Sequence, residues 1–365
     1  MKTKLKTKNE IVRERVDFST ETIYCGIDVH KKNWGVTIYL NDRFMKTFHQ
    51  NNDPQALLSH LNENYPYGKY MACYEAGFCG SSVQRKLTAL GIECLVANAA
   101  DIPQTNKSAL SKTDAVDSRR IGEALAKNML RPIYIPSPEF EADRNLIRYR
   151  KKLVARLKGH KQSIKSTLFI LDIPIPERFE KSCWTNTFIK WLIELQLENS
   201  STKTTIDLMI DDVVFYRKKL YETNKLIRNL SQTERYKFQF EIVTSAPGIG
   251  LITGMTMLTE IGDISRFDSF SKFNSFVGLC PSQFSSGEKT RMGKMTVRSN
   301  KAIRSLIIEA AWIAIKYDPA LAKKFSELEK IKTRKRAIVT IARKLLSRIY
   351  SIWTNQKKYE KGIKK

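Results

Sequence analysis

Thr22-Ile23-Tyr24-Cys25-Gly26-Ile27-Asp28-Val29-His30 is the stretch around which the rest of the chain is organised. Ile23 to Val29 is apolar and partly β-branched, and it is too short and too Gly-broken for a helix, so it reads as a strand. A polar turn, His30 to Asn33, leads into a second apolar run, Trp34 to Leu40. Asp28 stands out. Burying a carboxylate in a hydrophobic strand is costly unless it is paired or metal-bound, whereas a strand-end aspartate can also cap its own turn. Both readings stay open on this stretch alone.

Working outward, Arg43–His49 follows the polar turn Asn41-Asp42, as in an antiparallel meander. Asp53-Pro54 opens a helix with Ala56, Leu57, Leu58 and Leu61 on one face. Lys69–Tyr74 is the next strand, ending at Glu75 with a Gly77…Gly80 turn behind it. Ser81–Leu90 reads as a short helix stopped by Gly91, and Ile92–Ala97 as a fifth strand. The order β-β-β-α-β-α-β followed by a helix is that of a ribonuclease-H-like fold. The helix that follows carries Lys112-Thr113-Asp114-Ala115-Val116-Asp117, placing Asp114 and Asp117 at i and i+3 on one face. Like charges there repel unless a cation sits between them, although Asp is also a common helix cap. In such a sheet the ends of the first and fourth strands are adjacent, so Asp28, Glu75, Asp114 and Asp117 can converge. An all-oxygen carboxylate set suits Mg²⁺ or Mn²⁺ rather than zinc. Two such ions about 4 Å apart activate a nucleophile and stabilise the leaving oxygen of a phosphodiester.

Charge points the same way. Sixty-three Lys+Arg against 37 Asp+Glu give a formal net charge of +26, which calls for a polyanionic partner, most simply DNA or RNA. No apolar run reaches the roughly 18 residues that would span a bilayer. Met1 to Arg15 has no apolar core and does not read as a signal peptide. Six scattered cysteines, without a C-x-x-C pair, argue against zinc and for a reducing cytoplasm. Cys25, Cys73 and Cys94 fall in strands as small core residues.

Beyond Pro132…Pro136-Ser137-Pro138 the character changes. Arg144 to Lys165 holds nine Lys/Arg and no carboxylate, interleaved with Leu146, Leu153, Leu157 and Ile164. That is a basic amphipathic helix; it reads as a solvated bundle face or, given so one-sided a charge, as a surface that tracks phosphates, with Arg150, Lys151 and Lys152 as candidates. A Thr/Ser-rich loop near 199–205 precedes a second long helix, Ile206 to about Leu230. The pair reads as an antiparallel coiled-coil arm. Pro247-Gly248-Ile249-Gly250 before an apolar helix resembles a helix-hairpin-helix turn, in which Gly248 and Gly250 let backbone amides approach a phosphate. Gly254 is out of register for a dinucleotide fingerprint. Gly278-Leu279-Cys280-Pro281-Ser282-Gln283-Phe284-Ser285-Ser286-Gly287 contains a Ser-Ser-Gly loop, either a mere turn or a presented hydroxyl. Lys289, Arg291, Lys294, Arg298, Lys301 and Arg304 follow within 16 residues, with no acid among them. The helix Lys301–Ile315 and a basic helix Lys330–Arg348 complete the chain.

Taken in order, Gly26-Ile27-Asp28-Val29-His30-Lys31, Tyr74-Glu75-Ala76, Lys112 to Asp117, Pro247 to Gly250, Glu260-Ile261-Gly262-Asp263 and Gly278 to Pro281 through Ser286-Gly287 resemble the IS110 family, the DEDD transposases or bridge-RNA-guided recombinases. The resemblance covers nearly the whole chain. It implies an α/β plus α architecture: a basic tail (1–20), an N-terminal RuvC-like, ribonuclease-H-like domain (21–136), a helical coiled-coil arm (137–238), and a mostly helical C-terminal transposase domain (239–365) with a helix-hairpin-helix-like segment. It implies that Asp28, Glu75, Asp114 and Asp117 bind divalent metal and that Ser286, with Ser285 as the adjacent rival, attacks a DNA phosphodiester and holds a strand end. It further implies donor and target DNA, a structured guide (bridge) RNA, a homo-oligomer whose protomers share the site, and a cytoplasmic, nucleoid-associated prokaryotic setting. Arg298-Ser299-Asn300 departs from the Gly-Asn that the family commonly carries there. Two other readings compete: a Holliday-junction nuclease, which hydrolyses without a protein–DNA adduct, and a catalytically inactive nucleic-acid-binding protein.

Overall fold

Strands β1 (Thr22–Val29), β2 (Asn33–Leu40) and β3 (Arg43–Asn51) pair antiparallel in sequence order. The chain then crosses the sheet through α1 (Pro54–Asn64), whose start is fixed by Asp53 accepting the Gln55 amide and by Pro54 in the first turn. It returns as β4 (Lys69–Glu75) parallel to β1; α2 (Ser82–Ala89) leads to β5 (Glu93–Ala97), parallel to β4. The strand order is β3-β2-β1-β4-β5. On one face Ile23, Cys25, Ile27, Ala72 and Tyr74 pack against Leu57, Leu61, Val83 and Leu87. On the other, Cys73 packs with Ile121, Ala124 and Leu125 of α3 (Asp114–Ala126). The computed structural model describes residues 16–103, 114–180, 184–286, 289–296 and 298–362. Most of the basic tail, Lys112-Thr113, Cys183 and Gly287 lie outside them. The chain divides into two compact units, 1–135 and 136–365.

In the second unit α4 (Pro138–Ile170) and α6 (Ser200–Ser231) pack along each other, with α5 (Asn186–Glu194) between them in sequence. Their pairing is antiparallel. Asp143 meets Arg235 just beyond α6, Arg150 meets Asn224, and His160 meets Asp212. Leu157, Ile164 and Leu168 bury against Phe188, Leu192, Ile206 and Val213. Residues 200–205 are the first turns of α6 and not the loop that their Thr/Ser content suggests. Asn199 caps the helix by accepting the Thr202 amide, while Thr204 and Thr205 hydroxyls donate back to the carbonyls of Ser200 and Ser201.

The remaining elements share one apolar core. They are α7 (Lys237–Thr244), α8 (Leu251–Ile261), α9 (Phe270–Val277), α10 (Lys301–Tyr317), α11 (Pro319–Glu329) and α12 (Arg334–Thr354); the hairpin of β6 (Pro281–Ser286) and β7 (Lys289–Met295) lies between α9 and α10 in sequence. The final basic helix therefore begins at Arg334, not Lys330, and runs past Arg348 to Thr354. An extra helix, α11, precedes it, started by Asp318 and Pro319. Asp318 is 1 % exposed. It accepts the Ala320 and Leu321 amides, Arg348 Nη1 at 2.7 Å and the Tyr359 hydroxyl at 2.6 Å.

Burial pushes the Asp318 carboxyl up, but the Tyr359 hydroxyl, the α11 amides and Arg348 outweigh it and hold it below its usual value. A carboxyl depressed on folding contributes stability above its unfolded pKa, and that stability is lost as pH falls through the folded value. Tyr359→Phe is therefore expected to cost about 1 kcal/mol at neutral pH, and the cost should shrink below about pH 4. Urea unfolding of both proteins across that range checks this; a penalty independent of pH would contradict the assignment.

Candidate active site

Ile27 lies opposite Tyr74 in the parallel β1–β4 register. Asp28 and Glu75 are each one residue further on, at the C-terminal ends of adjacent strands. Because side chains alternate, Asp28 shares the face of Gly26, and Glu75 that of Cys73, which is the face covered by α3. The direction of α3 follows from its contacts. Ser118 Oγ lies 2.9 Å from Thr37 Oγ1, while Gly122 lies against the Tyr39 ring. Thr37 is opposite Gly26 and Tyr39 opposite Tyr24, so α3 runs back toward the start of β1. Its first turn, with Asp114 and Asp117, therefore begins toward the β1 end that carries Asp28.

Gly26 makes this approach feasible. A Cβ there would stand 2.2 Å from both the Gly122 nitrogen and the Ser118 carbonyl oxygen. A glycine inside a strand is the sequence signal for such an approach, and Ser118 with Gly122 at i and i+4 is its helical counterpart. Neither residue drew attention in the sequence as a functional position. His30, which the sequence places in the polar turn after β1, has its Nε2 3.2 Å from Asp28 Oδ2.

Asp117 Oδ1 accepts a hydrogen bond from Arg120 Nη1 at 2.9 Å, and Arg120 Nε donates to the Pro103 carbonyl. The Asp114 side chain lies outside the described residues. Among the described residues no three His, Cys, Asp or Glu side chains are gathered closely enough to hold a metal ion. The strand register thus brings Asp28 and Glu75 to one edge, while Asp117 is turned to its own helix. The donors are all carboxylate oxygens, a chemistry that fits a hard divalent cation.

In the second unit Gly248 has φ +84°, and a Cβ there would meet the Ala310 carbonyl oxygen at 2.4 Å. Only glycine satisfies both. The turn from α7 to α8 that it shapes lines an open depression of 430 Å³ with Gly250, Ile313 and Tyr317. Ser285 and Ser286 belong to β6, not to a loop: their backbones pair with Thr290 and Lys289. The side chains of Ser285, Ser286, Lys289, Arg291 and Lys294 lie outside the described residues. Arg298 and Lys301 are exposed. Arg304 Nη1 instead donates to the carbonyls of Thr296 and Gly278, and Arg150 is half-buried against Asn224, where burial pulls its guanidinium below the usual value. Lys151 and Lys152 are exposed. In the departing Arg298-Ser299-Asn300 segment, Asn300 caps α10 by accepting the Ala302 and Ile303 amides.

Glu260 of α8, 8 % exposed, ties these elements together. It accepts Arg148 Nε and Nη2 at 2.7 and 2.8 Å and Asn300 Nδ2 at 3.2 Å. Arg148→Ala leaves that buried carboxylate with Asn300 Nδ2 and no charged partner, and is expected to cost about 3 kcal/mol. Arg148→Ala combined with Glu260→Gln should recover part of the loss. Thermal unfolding of both variants checks this, and equal melting of wild type and Arg148→Ala would contradict it.

A mixed five-stranded sheet in this order, with carboxylates at the ends of its central parallel strands, is consistent with a ribonuclease-H-like N-terminal domain. Residues 25–171 match the DEDD transposase model of IS110, described as a transposase, and residues 240–327 match the model described as the transposase IS116/IS110/IS902 family. The two matches together span well over half of the chain. The y4qE protein of Sinorhizobium fredii is 27 % identical over 279 residues, 76 % of this chain and 67 % of that protein. The transposase for insertion sequence element IS1533 of Leptospira borgpetersenii is 24 % identical over 296 residues, 80 % of this chain and 84 % of that one. A pilin gene-inverting protein of Moraxella lacunata is 31 % identical over 134 residues, 36 % of this chain and 42 % of that protein. The chain belongs to the IS110 family of transposases, and its enzymatic class is DNA transposase/recombinase. No helix among the described residues is long and apolar enough to cross a membrane.

Proposed function

We propose that the chain cuts and rejoins DNA strands of a mobile element, with Asp28, Glu75, Asp114 and Asp117 as a divalent-metal site, Mg²⁺ or Mn²⁺, and Ser286 as the nucleophile. The observation that carries the reading is the β1–β4 register, which sets Asp28 beside Glu75 on the face that α3 covers. When bound, the ion supplies charge neutralisation at the phosphodiester. Asp28 and Glu75 hold their carboxylates on strand ends fixed by the sheet, a rigid base for positioning. Asp117 joins them by leaving Arg120, which frees a guanidinium for a phosphate. Ser286 Oγ forms the bond to phosphorus as the bond to a deoxyribose oxygen breaks; the serine proton goes to a base and the departing oxygen takes one up. The seryl phosphate then holds one strand end until rejoining reverses the exchange. Arg291 and Lys294 stabilise the charge on the pentacoordinate phosphorus.

Exposed Lys151, Lys152, Arg298 and Lys301, together with Lys289, would contact donor and target DNA and a guide RNA, so binding should weaken steeply with salt. Arg150 and Arg304 contribute through whatever capacity their internal bonds leave. The site is completed in a homo-oligomer. The likeness to a pilin gene-inverting protein extends the reading to inversion as well as insertion.

A denaturing gel tests the serine. With junction DNA of the element, its RNA and Mg²⁺, wild type should leave a covalent protein–DNA adduct that Ser286→Ala loses and Ser285→Ala retains. Nicking that survives Ser286→Ala without any adduct would replace the serine reading with metal-dependent hydrolysis.

A further inference from the structure

We propose that Phe78 stacks on a DNA base at the cleaved step and holds it out of the duplex; this rests on the site reading above, because it puts the cleaved phosphate at Glu75. Phe78 lies three residues beyond Glu75 and is 72 % exposed. A single exposed apolar side chain is ordinary on a protein surface. What sets this one apart is that its loop is clamped.

The Ala76 amide donates to the Ala97 carbonyl at 2.8 Å, continuing the sheet one residue past Glu75. The Gly80 amide donates to Gly77, and Gly80 takes φ +55°. Beneath the turn the fully buried Tyr74 donates its hydroxyl to the Gly80 carbonyl at 2.8 Å and accepts the Gln84 amide at 3.2 Å. The core thus grips both ends of the 76–81 turn while its tip presents a phenyl ring to solvent.

A rigid ring with two side-chain torsions loses little freedom on stacking. Its setting fits a nucleic-acid base. Asp28 and Glu75 end neighbouring strands, and exposed Lys31 and Lys32 occupy the turn just beyond β1, where they can hold flanking phosphates. An aromatic platform flanked by cations is the usual arrangement for an unpaired strand. Extruding the base breaks its stacking and pairing at that step, so the backbone there can bend its phosphate toward the carboxylates at the strand ends.

The test uses the full chain, with its RNA, on duplexes of the element's junction carrying 2-aminopurine at successive positions across the cleaved step. Wild type should raise the fluorescence at one DNA position as that base leaves the stack. Phe78→Ala should lose this rise and cut paired DNA about 5- to 100-fold more slowly, and a mismatch at the step should restore its cutting. Phe78→Tyr should behave as wild type. An unchanged fluorescence rise in Phe78→Ala, equal slowing on paired and mismatched DNA, or a rise only when the label sits in the RNA would each overturn the proposal. Asp28→Asn separates the two readings: it should slow cutting roughly a hundred- to a thousandfold and keep the fluorescence rise. If it cuts normally the carboxylate site is wrong, while the fluorescence comparison still decides whether Phe78 stacks.

Discussion

Asp28→Asn is expected to slow DNA strand cleavage by roughly a hundred- to a thousandfold, with the fold and DNA binding retained. Asparagine has the shape of aspartate and keeps an oxygen toward His30, whose Nε2 lies 3.2 Å from the native carboxylate. Only the charge is removed. The side chain is 21 % exposed at the end of β1, so water reaches the neutral amide. Single-turnover cleavage, with binding followed separately by fluorescence anisotropy, measures both quantities. Cleavage at the wild-type rate would remove Asp28 from the chemistry. Weaker binding with unchanged cleavage of bound DNA would make it a contact residue only.

Gly26→Ala is expected to destabilise the N-terminal unit by about 3 kcal/mol or more. The new methyl would stand 2.2 Å from the Gly122 nitrogen and the Ser118 carbonyl oxygen and 2.6 Å from the Gly122 Cα, all backbone atoms. No rotamer relieves that clash. Separating α3 from β1 would also break the hydroxyl chain from Thr47 through Thr37 to Ser118. Cleavage should fail as well, since the first turn of α3 would shift with respect to Asp28. Gly159→Ala inside α4 is the control. Nothing lies within 4 Å of a Cβ there, so it should gain up to about 1 kcal/mol from helix propensity. Hydrogen exchange of the β1 amides should accelerate in Gly26→Ala and not in Gly159→Ala; unchanged protection in both would show that α3 does not need the close approach.

Much of the sheet was legible because its signals are local. Alternating apolar residues and polar turns mark β1 to β3, and Asp53-Pro54 marks the start of α1. Asp28 and Glu75 were visible as carboxylates ending apolar runs. The opposite course of α3 was not, because it depends on Gly26, Ser118 and Gly122 meeting across almost a hundred residues of chain. Residues 200–205 misread as a loop because Ser and Thr favour turns when isolated, whereas here Asn199 supplies the cap and the hydroxyls bond back along the helix. Ser285-Ser286 reads as part of a Ser-Ser-Gly loop for the same reason, and pairing with Thr290 and Lys289 of β7 makes the two serines the end of a strand. The run of cations from Lys289 to Arg304 looked uniform in sequence. Folding divides it, since Arg304 spends a nitrogen on two carbonyls while Arg298 and Lys301 face solvent.

Binding of Mn²⁺ to the full chain, titrated by electron paramagnetic resonance with and without DNA, tests most directly whether Asp28 and Glu75 serve one ion. Wild type should take up Mn²⁺ that Asp28→Asn and Glu75→Gln each release, and the double variant should lose no more than either single one, as for two ligands of one ion. Equal Mn²⁺ binding by wild type and the double variant, in the presence of DNA, would contradict the shared site.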